Sequence, residues 1–599
     1  MDEPCLCVAF KYLEERERRD DRIAIILNRI GFSWRVYLVA FLGFLASSWS
    51  LIAISIITPA LYFIYDRHGQ FDGDAALVLD MVTLTTTIVG MVAFGLLADQ
   101  MGRSKLYGIE VIIVLVAVGG AAFSSAGFII HQGRPDETGS LDIYAALFVF
   151  RAFLGLGIGA EYPMSAVIAA EFSPTRWRGV MLAAVFLAQS VGRILAYGIS
   201  LGALHGLTGQ IDPTARDLLD QTKIALDIFW RLALSLAGIP AVFALVFRLF
   251  IPETPRFYSA VKRDVKKARE SLTMLGTRSP EMIADIERIM VAGPDDASSI
   301  LEKRPWRKMA GEYYFGRAKG WKFLAAISIQ WLLLDIVWYG VGLDSPGTLA
   351  ALWLNKEPPS PSATPPSWNV DPAYPNATIV ETIDRNLVRT LYLSCIAALL
   401  GSLAVIPLVN RLSRKTHYLW TTWSLAALFA VMAISVSQTY AKPNHQVSMV
   451  FYVIAQLLFN LGPNTLTFII AAESFPTEFR ATSYGIAAAF GKVGAIIARG
   501  IIKGAGKGKT GIVAVLAIFC VVLVVMAVLA WLEPWGIAFP RVQKDRSLDW
   551  HEIGPLEKLK RSKLENKSLE EISPWPLGVW CGKWDTDGGD ARSGKRVIR

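Results

Sequence analysis

The feature that most constrains this chain is a series of apolar runs, each about 20 residues long. A helix of about 20 apolar residues crosses the roughly 30 Å hydrocarbon core of a bilayer. Twelve such runs recur along the 599 residues, which predicts an all-α membrane protein with twelve transmembrane helices. We place these spans at residues 36–62, 77–98, 107–131, 143–170, 179–205, 226–250, 321–344, 388–410, 417–437, 446–472, 482–503 and 512–533.

The composition supports a membrane protein and gives no sign of an enzyme. The chain is 53% hydrophobic and 19% charged, against roughly a quarter charged in soluble domains. Its net charge of +9 comes from basic residues grouped between the spans, which is typical of cytoplasmic loops and not of nucleic-acid binding. Cys5-x-Cys7 is a weak metal signal, and no phosphate-binding loop or nucleophile elbow is present. We therefore expect no metal, no cofactor and no nucleic-acid partner, and we expect the chain to lie in a lipid bilayer.

A long polar segment divides the spans into two sets of six. It contains fourteen Lys and Arg residues between Arg256 and Lys319. Because basic loops stay in the cytoplasm, this pattern places both termini there. The predicted parts are a cytoplasmic N-terminal segment 1–35, a six-helix half 36–250, a cytoplasmic loop 251–320, a second six-helix half 321–533 and a cytoplasmic tail 534–599.

The loop 345–387 falls on the outer side in this topology. It is rich in Pro and Ser and contains Asn376-Ala-Thr378, a glycosylation sequon. We therefore expect a glycan on Asn376 and a location in the plasma membrane.

Two short motifs repeat at equivalent places in the two halves. EFSPTRWR (Glu171–Arg178) follows the fourth span, and ESFPTEFR (Glu473–Arg480) follows the tenth. GLLADQMGRSK (Gly95–Lys105) after the second span has a weaker counterpart in IPLVNRLSRK (Ile406–Lys415) after the eighth. Parallel repeats of six spans place a substrate site near mid-membrane between the halves.

These motifs resemble the loop signatures of the major facilitator superfamily. Arg151 with its Gly155-x-Gly-x-Gly159 run resembles the fourth-span signature, and IPETPR (Ile251–Arg256) the one that ends the sixth span. The resemblance implies that charged residues at the cytoplasmic rim hold an inner gate that breaks as the halves rock, with a static salt bridge as the alternative. These residues are Asp99, Arg103, Glu171, Arg178, Glu473 and Arg480.

Several polar residues lie inside the spans. Trp331, Asp335 and Tyr339 are spaced i, i+4, i+8 and share one helix face. An ionisable group inside a membrane faces the bundle interior and finds partners there, and Lys492 is too central for its head group to reach the interface. The other members of this set are Glu161, Tyr162, Gln189, Arg193, Asn464 and Arg499.

Such a set suits an oxyanion that is bound together with a proton. Cations and neutral donors can satisfy the oxygens of a tetrahedral anion, while a buried carboxylate such as Asp335 exchanges a proton as access alternates. A structural alternative is that Asp335 pairs with Lys492 or Arg193 only to allow both charges to be buried in the membrane. The aromatic and amide residues would then be packing and hydrogen-bonding groups.

Three segments resemble the phosphate:proton symporter family of fungi and plants. They are GLGIGAEYPMSAVIAAE (Gly155–Glu171), WLLLDIVWYGVGLDS (Trp331–Ser345) and the segment Phe459–Ala498. The resemblance implies that Asp335 carries the proton and that Glu161, at a position that is usually Asp, also takes part in proton coupling. It implies a phosphate pocket of Tyr162, Gln189, Trp331, Asp335, Tyr339, Asn464 and Lys492.

The first span departs from this family. Members carry two aspartates where this chain has Ser47 and Ser50, so a proton relay through the first span would need another route. Arg193 and Arg499 would also make the outer vestibule more cationic, which favours a larger or more highly charged anion.

The sequence therefore predicts a monomeric proton-coupled symporter that imports inorganic phosphate. One alternative keeps the mechanism but carries glycerophosphodiesters or another organic anion. A second, of a different class, is a phosphate-sensing membrane receptor with little transport. An uncharged sugar is disfavoured because the pocket holds both Asp335 and Lys492.

Overall fold

The structure is a computed structural model. It describes residues 22–65, 74–125, 143–209, 211, 217–262, 264–275, 283–284, 286, 305–316, 320–342, 368–369, 374, 376–440, 446–505 and 509–532. The predicted tail 534–599, the Cys5-x-Cys7 pair and much of the loops 251–320 and 345–387 lie outside these ranges.

Within the described residues, twelve helices are long and apolar enough to cross a membrane, which confirms the predicted fold class. We label them α1 to α12 in chain order. Their bounds are Trp34–Tyr65, Leu77–Met101, Arg103–Ala122, Ile143–Phe172, Thr175–Thr208, Leu218–Arg248, Gly320–Gly342, Ile379–Leu408, Arg414–Thr439, Gln446–Ser474, Arg480–Ala505 and Lys509–Leu532.

Packing between the helices follows the internal repeat. Within the first half α2 packs against α4, α1 against α5 and α3 against α6; the second half repeats this with α8 against α10, α7 against α11 and α9 against α12. The main contacts between the halves are α2 with α11 and α5 with α8, which are equivalent pairs. The described helices thus form two pseudo-symmetric bundles with a common interface.

Glycines bring α2 and α11 into backbone contact at that interface. A Cβ on Gly95 would lie 2.6 Å from the carbonyl oxygen of Ala481, and one on Gly485 would lie 2.2 Å from that of Met91. Any side chain at either position would separate the two helices, so these glycines fix how closely the halves approach.

Helix α10 is interrupted next to a predicted pocket residue. Its first part, Gln446–Leu461, ends before Gly462, and its second part, Pro463–Ser474, begins with a proline that has no N–H to donate. A Cβ on Gly462 would lie 2.1 Å from the Thr421 hydroxyl, so only glycine fits there. The break places Asn464 in the first turn of the second part.

Short helices cover the ends of the bundles that carry the repeated motifs. The helix 22–30 packs through Ile23, Ile26 and Leu27 against the helix Val265–Leu275. The helix Trp306–Phe315 packs against Phe479, whose ring is stacked on that of Tyr313 at 4.9 Å. The N-terminal segment and the central loop therefore lie at the same end of the molecule.

Candidate transport site

The centre of the candidate site is a buried ion pair between α7 and α11. Lys492 Nζ donates to Asp335 Oδ2 at 3.2 Å and to the Tyr339 hydroxyl at 2.5 Å. Its ammonium also lies 5.1 Å from the ring centroid of Tyr162 on α4. Asp335 and Lys492 are 2% and 3% exposed, so two opposite charges are held away from water between helices of both halves.

Neutral donors and acceptors continue from this pair across the interface. Gln189 Nε2 on α5 donates to the Tyr162 hydroxyl at 3.2 Å. Asn464 Nδ2 on α10 donates to Gln189 Oε1 at 3.3 Å and to Asn460 Oδ1 at 3.2 Å. Tyr162 and Gln189 belong to the first half and Asn464 to the second, so one hydrogen-bonded chain joins the halves.

Trp331 borders the same centre one helical turn before Asp335. Its ring lies edge-on to Tyr484 at 5.4 Å. A Cβ on Gly491 would lie 2.6 Å from Trp331 Cδ1 and 2.8 Å from Asp335 Oδ2. Because Gly491 has no side chain, α11 can lie close enough to α7 for Lys492 to reach Asp335. No sequence pattern pointed to this role of Gly491.

A cavity adjoins this centre and is reached by Arg193. Arg193 on α5 is 5% exposed, donates through Nη2 to Ser394 Oγ on α8 at 3.1 Å and lies 5.4 Å from the ring centroid of Trp338. The cavity places a cation, an amide and a phenol around one space. Its lining residues are Ser48, Leu51, Ile52, Gln189, Arg193, Trp338, Tyr339 and Gly342.

The first-span serines make backbone contacts within the first half. Ser50 Oγ donates to the carbonyl oxygen of Ala46 at 2.9 Å, and Ser48 Oγ donates to that of Gln189 at 2.9 Å. Ser47 is 3% exposed. Neither Ser47 nor Ser50 carries a charge, so this part of α1 fixes helix packing and contributes no ionisable group.

Glu161 belongs to a separate charge cluster inside the first half. Arg248 at the end of α6 donates through Nη2 to Glu161 Oε2 and through Nη1 to Glu110 Oε1, both at 2.6 Å. The guanidinium also lies 3.8 Å from the ring centroid of Tyr107. Glu161 thus faces the interior of its own half, whereas the next residue, Tyr162, faces the pocket. A proton-coupling role for Glu161 stays a prediction.

Arg248→Met is expected to destabilise the protein strongly. All three charged groups of the cluster are at most 4% exposed, and removing one partner of a buried ion pair costs about 3–5 kcal/mol because the other charge stays buried. Fluorescence-detected size-exclusion chromatography after heating should show a much lower melting temperature. Lys267→Gln, which breaks an exposed ion pair with Asp264, is the control with little effect. Equal melting temperatures for wild type and Arg248→Met would contradict the account.

The end of the bundle with the repeated motifs holds a buried charge network that spans both halves. Glu171 Oε1 accepts from Arg103 Nη2 of the first half at 3.1 Å and from Arg480 Nη1 of the second half at 3.2 Å. Asp99 accepts from Arg103 at 3.0 Å and from the backbone N–H of Thr482 at 2.7 Å. The network closes this end of the molecule.

The other predicted rim residues are also buried. Glu473 pairs with Arg414 at 3.5 Å. Arg178 is 1% exposed, and a Cβ on the next residue, Gly179, would lie 2.3 Å from Arg414 Nη2. Glu253 accepts from the backbone N–H groups of Arg103 and Ser104, each at 3.0 Å. Burial raises the pKa of Glu253 above its ordinary value, while the N–H groups that it accepts from oppose that shift.

The opposite end of the molecule has its own links between the halves. Arg499 on α11 forms an ion pair with Asp80 on α2, and His205 Nε2 on α5 lies 2.6 Å from Asp384 Oδ1 on α8. Arg499 is therefore engaged with a carboxylate, a partner that the sequence analysis did not identify. That Arg499 makes the outer vestibule more cationic stays a prediction. The Asp80 carboxylate beside Arg499 reduces the net positive charge at that place.

Contacts between the halves are present at both ends of the described helices. The buried Glu171 network lies at one end and the Asp80–Arg499 pair at the other, with the Asp335–Lys492 centre between them. Two pseudo-symmetric bundles around a polar site are the architecture of a secondary transporter that works by alternating access.

The comparisons with known proteins agree with this class. The profile of the "Sugar (and other) transporter" family matches residues 36–336 and 377–544, and the chain belongs to this family of major facilitator transporters and is not an enzyme. The solved structure of the proton:xylose symporter XylE superposes with a TM-score of 0.60 over 83% of this chain and 95% of that one, at 18% identity. This likeness shows the fold.

Curated relatives share more sequence. A repressible high-affinity phosphate permease of Neurospora crassa is 31% identical over 500 residues, which are 82% of this chain and 81% of the relative. The inorganic phosphate transporter PHO84 of Saccharomyces cerevisiae is 30% identical over 503 residues, 82% of this chain and 79% of the relative. The predicted resemblance to phosphate transporters is thereby confirmed.

Proposed function

We propose that the protein is a proton-coupled symporter that imports inorganic phosphate by alternating access. The observation that carries the proposal is the buried Asp335–Lys492 pair, which has neutral donors from both halves beside it. The names of the fungal relatives support the choice of phosphate as the substrate.

The geometry suggests how proton and anion are coupled. When Asp335 is ionised, Lys492 donates to it at 3.2 Å, and the cation is engaged. Protonation of Asp335 weakens this ion pair and frees the ammonium for an anion oxygen. The Tyr162 and Tyr339 hydroxyls and the Gln189 and Asn464 amides supply further donors. Binding the proton therefore favours binding the anion, and by linkage the reverse also holds.

Release then requires the halves to rock. The neutralised site can pass through the occluded state, because a paired proton and anion leave less net charge away from water. Opening at the Glu171 end would expose the site to the cytosol, where the proton leaves Asp335 and Lys492 returns to it. The gating role of this network is part of the proposal.

Uptake into cells that lack their own phosphate transporters tests the proposed function. Labelled phosphate should accumulate more at acidic outer pH, and a protonophore should abolish the accumulation. Glycerophosphodiesters should compete weakly. Accumulation of glycerophosphodiesters but not of phosphate would show that the substrate is a glycerophosphodiester. Saturable phosphate binding without accumulation would favour a receptor.

We also propose a plasma-membrane location with both termini in the cytoplasm and a functional monomer. The packing of the helix 22–30 against Val265–Leu275 supports one shared side for the N-terminus and the basic central loop. Asn376 is exposed, and Thr378 of its sequon caps the start of α8.

Asn376→Gln tests this topology directly. We expect the wild-type protein to shift to higher mobility on treatment with an N-glycosidase, and the variant to show no shift. Electrophoresis of the membrane fraction provides the measurement. A glycosidase-sensitive shift that persists in Asn376→Gln, or its absence in the wild type made in a eukaryotic cell, would contradict an outer position for this loop.

A further inference from the structure

Within the part of the chain that the structure describes, Arg193 has no carboxylate partner, unlike Lys492 and Arg499. Lys492 pairs with Asp335, and Arg499 pairs with Asp80. Arg193 donates to the Ser394 hydroxyl and lies against the Trp338 ring, and within the described ranges its Nε has no hydrogen-bond partner. Ser394 and Trp338 are neutral, so no carboxylate of the described residues pairs with the positive charge of Arg193.

The position of this charge links it to the cavity. Arg193 is 5% exposed and is one turn from Gln189 on the same face of α5, and both residues line the cavity together with Tyr339. Tyr339 also accepts the hydrogen bond from Lys492. Arg193 and Tyr339 therefore border one space, and Tyr339 connects that space to Lys492 and, through Lys492, to Asp335.

The charges around this space favour an occupant of negative charge. Asp335 and Lys492 together are neutral, so Arg193 leaves the site with a net charge of +1. If Asp335 is protonated, the net charge is +2. An unpaired cation inside a membrane protein is costly, and a bound anion removes the cost. A net charge of +1 matches dihydrogen phosphate, and +2 matches hydrogen phosphate.

We propose that Arg193 binds the phosphate directly and supplies the charge that balances the anion in the occluded state. The oxyanion lies between the Arg193 guanidinium and the Lys492 ammonium, where Gln189 and Tyr339 also reach it. The planar guanidinium can donate two parallel hydrogen bonds to one phosphate. This inference rests on the proposed function and adds to it the residue that fixes the charge of the bound anion.

Purified Arg193→Gln, Arg193→Lys and wild-type protein test the inference by calorimetric titration with inorganic phosphate. Loss of the charge should raise Kd about tenfold or more, because truncating one partner of a buried charge pair weakens binding by at least that factor. Arg193→Lys keeps the charge and should lose less affinity. The control is Arg231→Gln, since Arg231 also lies over a tryptophan ring (4.4 Å from Trp230) but borders no part of the cavity. It should bind like the wild type.

Thermal stability without phosphate separates binding from a structural role. If Arg193 is an uncompensated charge, ligand-free Arg193→Gln should melt at the same temperature as the wild type or higher, and phosphate should stabilise it less. A lower melting temperature with unchanged phosphate affinity would overturn the inference and make Arg193 a structural residue. Folded wild-type protein that binds no phosphate would instead overturn the proposed function itself.

Discussion

Asp335→Asn is expected to abolish phosphate accumulation while phosphate binding persists. The variant loses the carboxyl that exchanges a proton, but the amide is of the same size and can still accept from Lys492. The cations Lys492 and Arg193 remain in place. Proton and anion sites that are coupled change each other's affinity by about 5–150-fold, so phosphate binding to the wild type should vary with pH by such a factor. In the variant that dependence should disappear.

Two measurements separate this outcome from misfolding. Counterflow in proteoliposomes should show that Asp335→Asn still exchanges phosphate across the membrane without a driving force, and size-exclusion chromatography should show an intact protein. Asp227→Asn is the matched control, because Asp227 is a half-buried aspartate in an ion pair with Arg231 away from the cavity. An Asp335→Asn protein that accumulates phosphate like the wild type would remove Asp335 from the coupling mechanism.

Glu171→Gln should have the second largest effect on transport, because Glu171 joins the two halves in the buried charge network that we propose as the gate. One carboxylate oxygen joins Arg103 and Arg480 from opposite halves at 3.1 and 3.2 Å, and Glu171 Oε2 also accepts from Thr254 at 2.5 Å. A neutral amide weakens both charge-assisted bonds and removes one buried negative charge from the network, in which Arg103 keeps its pair with Asp99. We therefore expect the closed arrangement of this end to lose population and the transport rate to fall at least about tenfold.

Accessibility of a buried thiol reports this gate. Thr482 is 2% exposed and lies against Asp99 on α2, so Thr482→Cys should react slowly with an impermeant maleimide in inside-out vesicles. Adding Glu171→Gln should speed the reaction, while adding Glu270→Gln, at an exposed position of the helix Val265–Leu275, should not. Unchanged labelling in the Glu171→Gln background would show that the network is a static structural feature.

Hydropathy predicted the number and order of the helices because membrane spans are defined by local composition. Helix ends moved where a polar turn continues an apolar helix, as at the start of the eighth span, predicted at 388 and found at Ile379. That turn begins with Thr378, whose hydroxyl accepts from the backbone N–H of Glu381. Capping of this kind depends on side-chain chemistry that a hydropathy window does not weigh.

The candidate site was only partly predictable from sequence. The i, i+4, i+8 spacing placed Trp331, Asp335 and Tyr339 on one face, and the family resemblance added the other pocket residues. The partners of Glu161 were missed, because an arginine at the end of a span, such as Arg248, has the pattern of an interfacial anchor. The Asp80–Arg499 pair was also missed. Its members are 419 positions apart, and only the tertiary packing of α2 on α11 brings them together.

In the proposed mechanism, a proton gradient drives phosphate through a site centred on Asp335. Purified protein in proteoliposomes, with an acidic outside and an alkaline inside and the membrane potential clamped, tests it most directly. We expect uphill accumulation of labelled phosphate by the wild type, its collapse on adding a protonophore, and no accumulation by Asp335→Asn. Phosphate accumulation that is indifferent to the pH gradient, or equal in the variant, would contradict it.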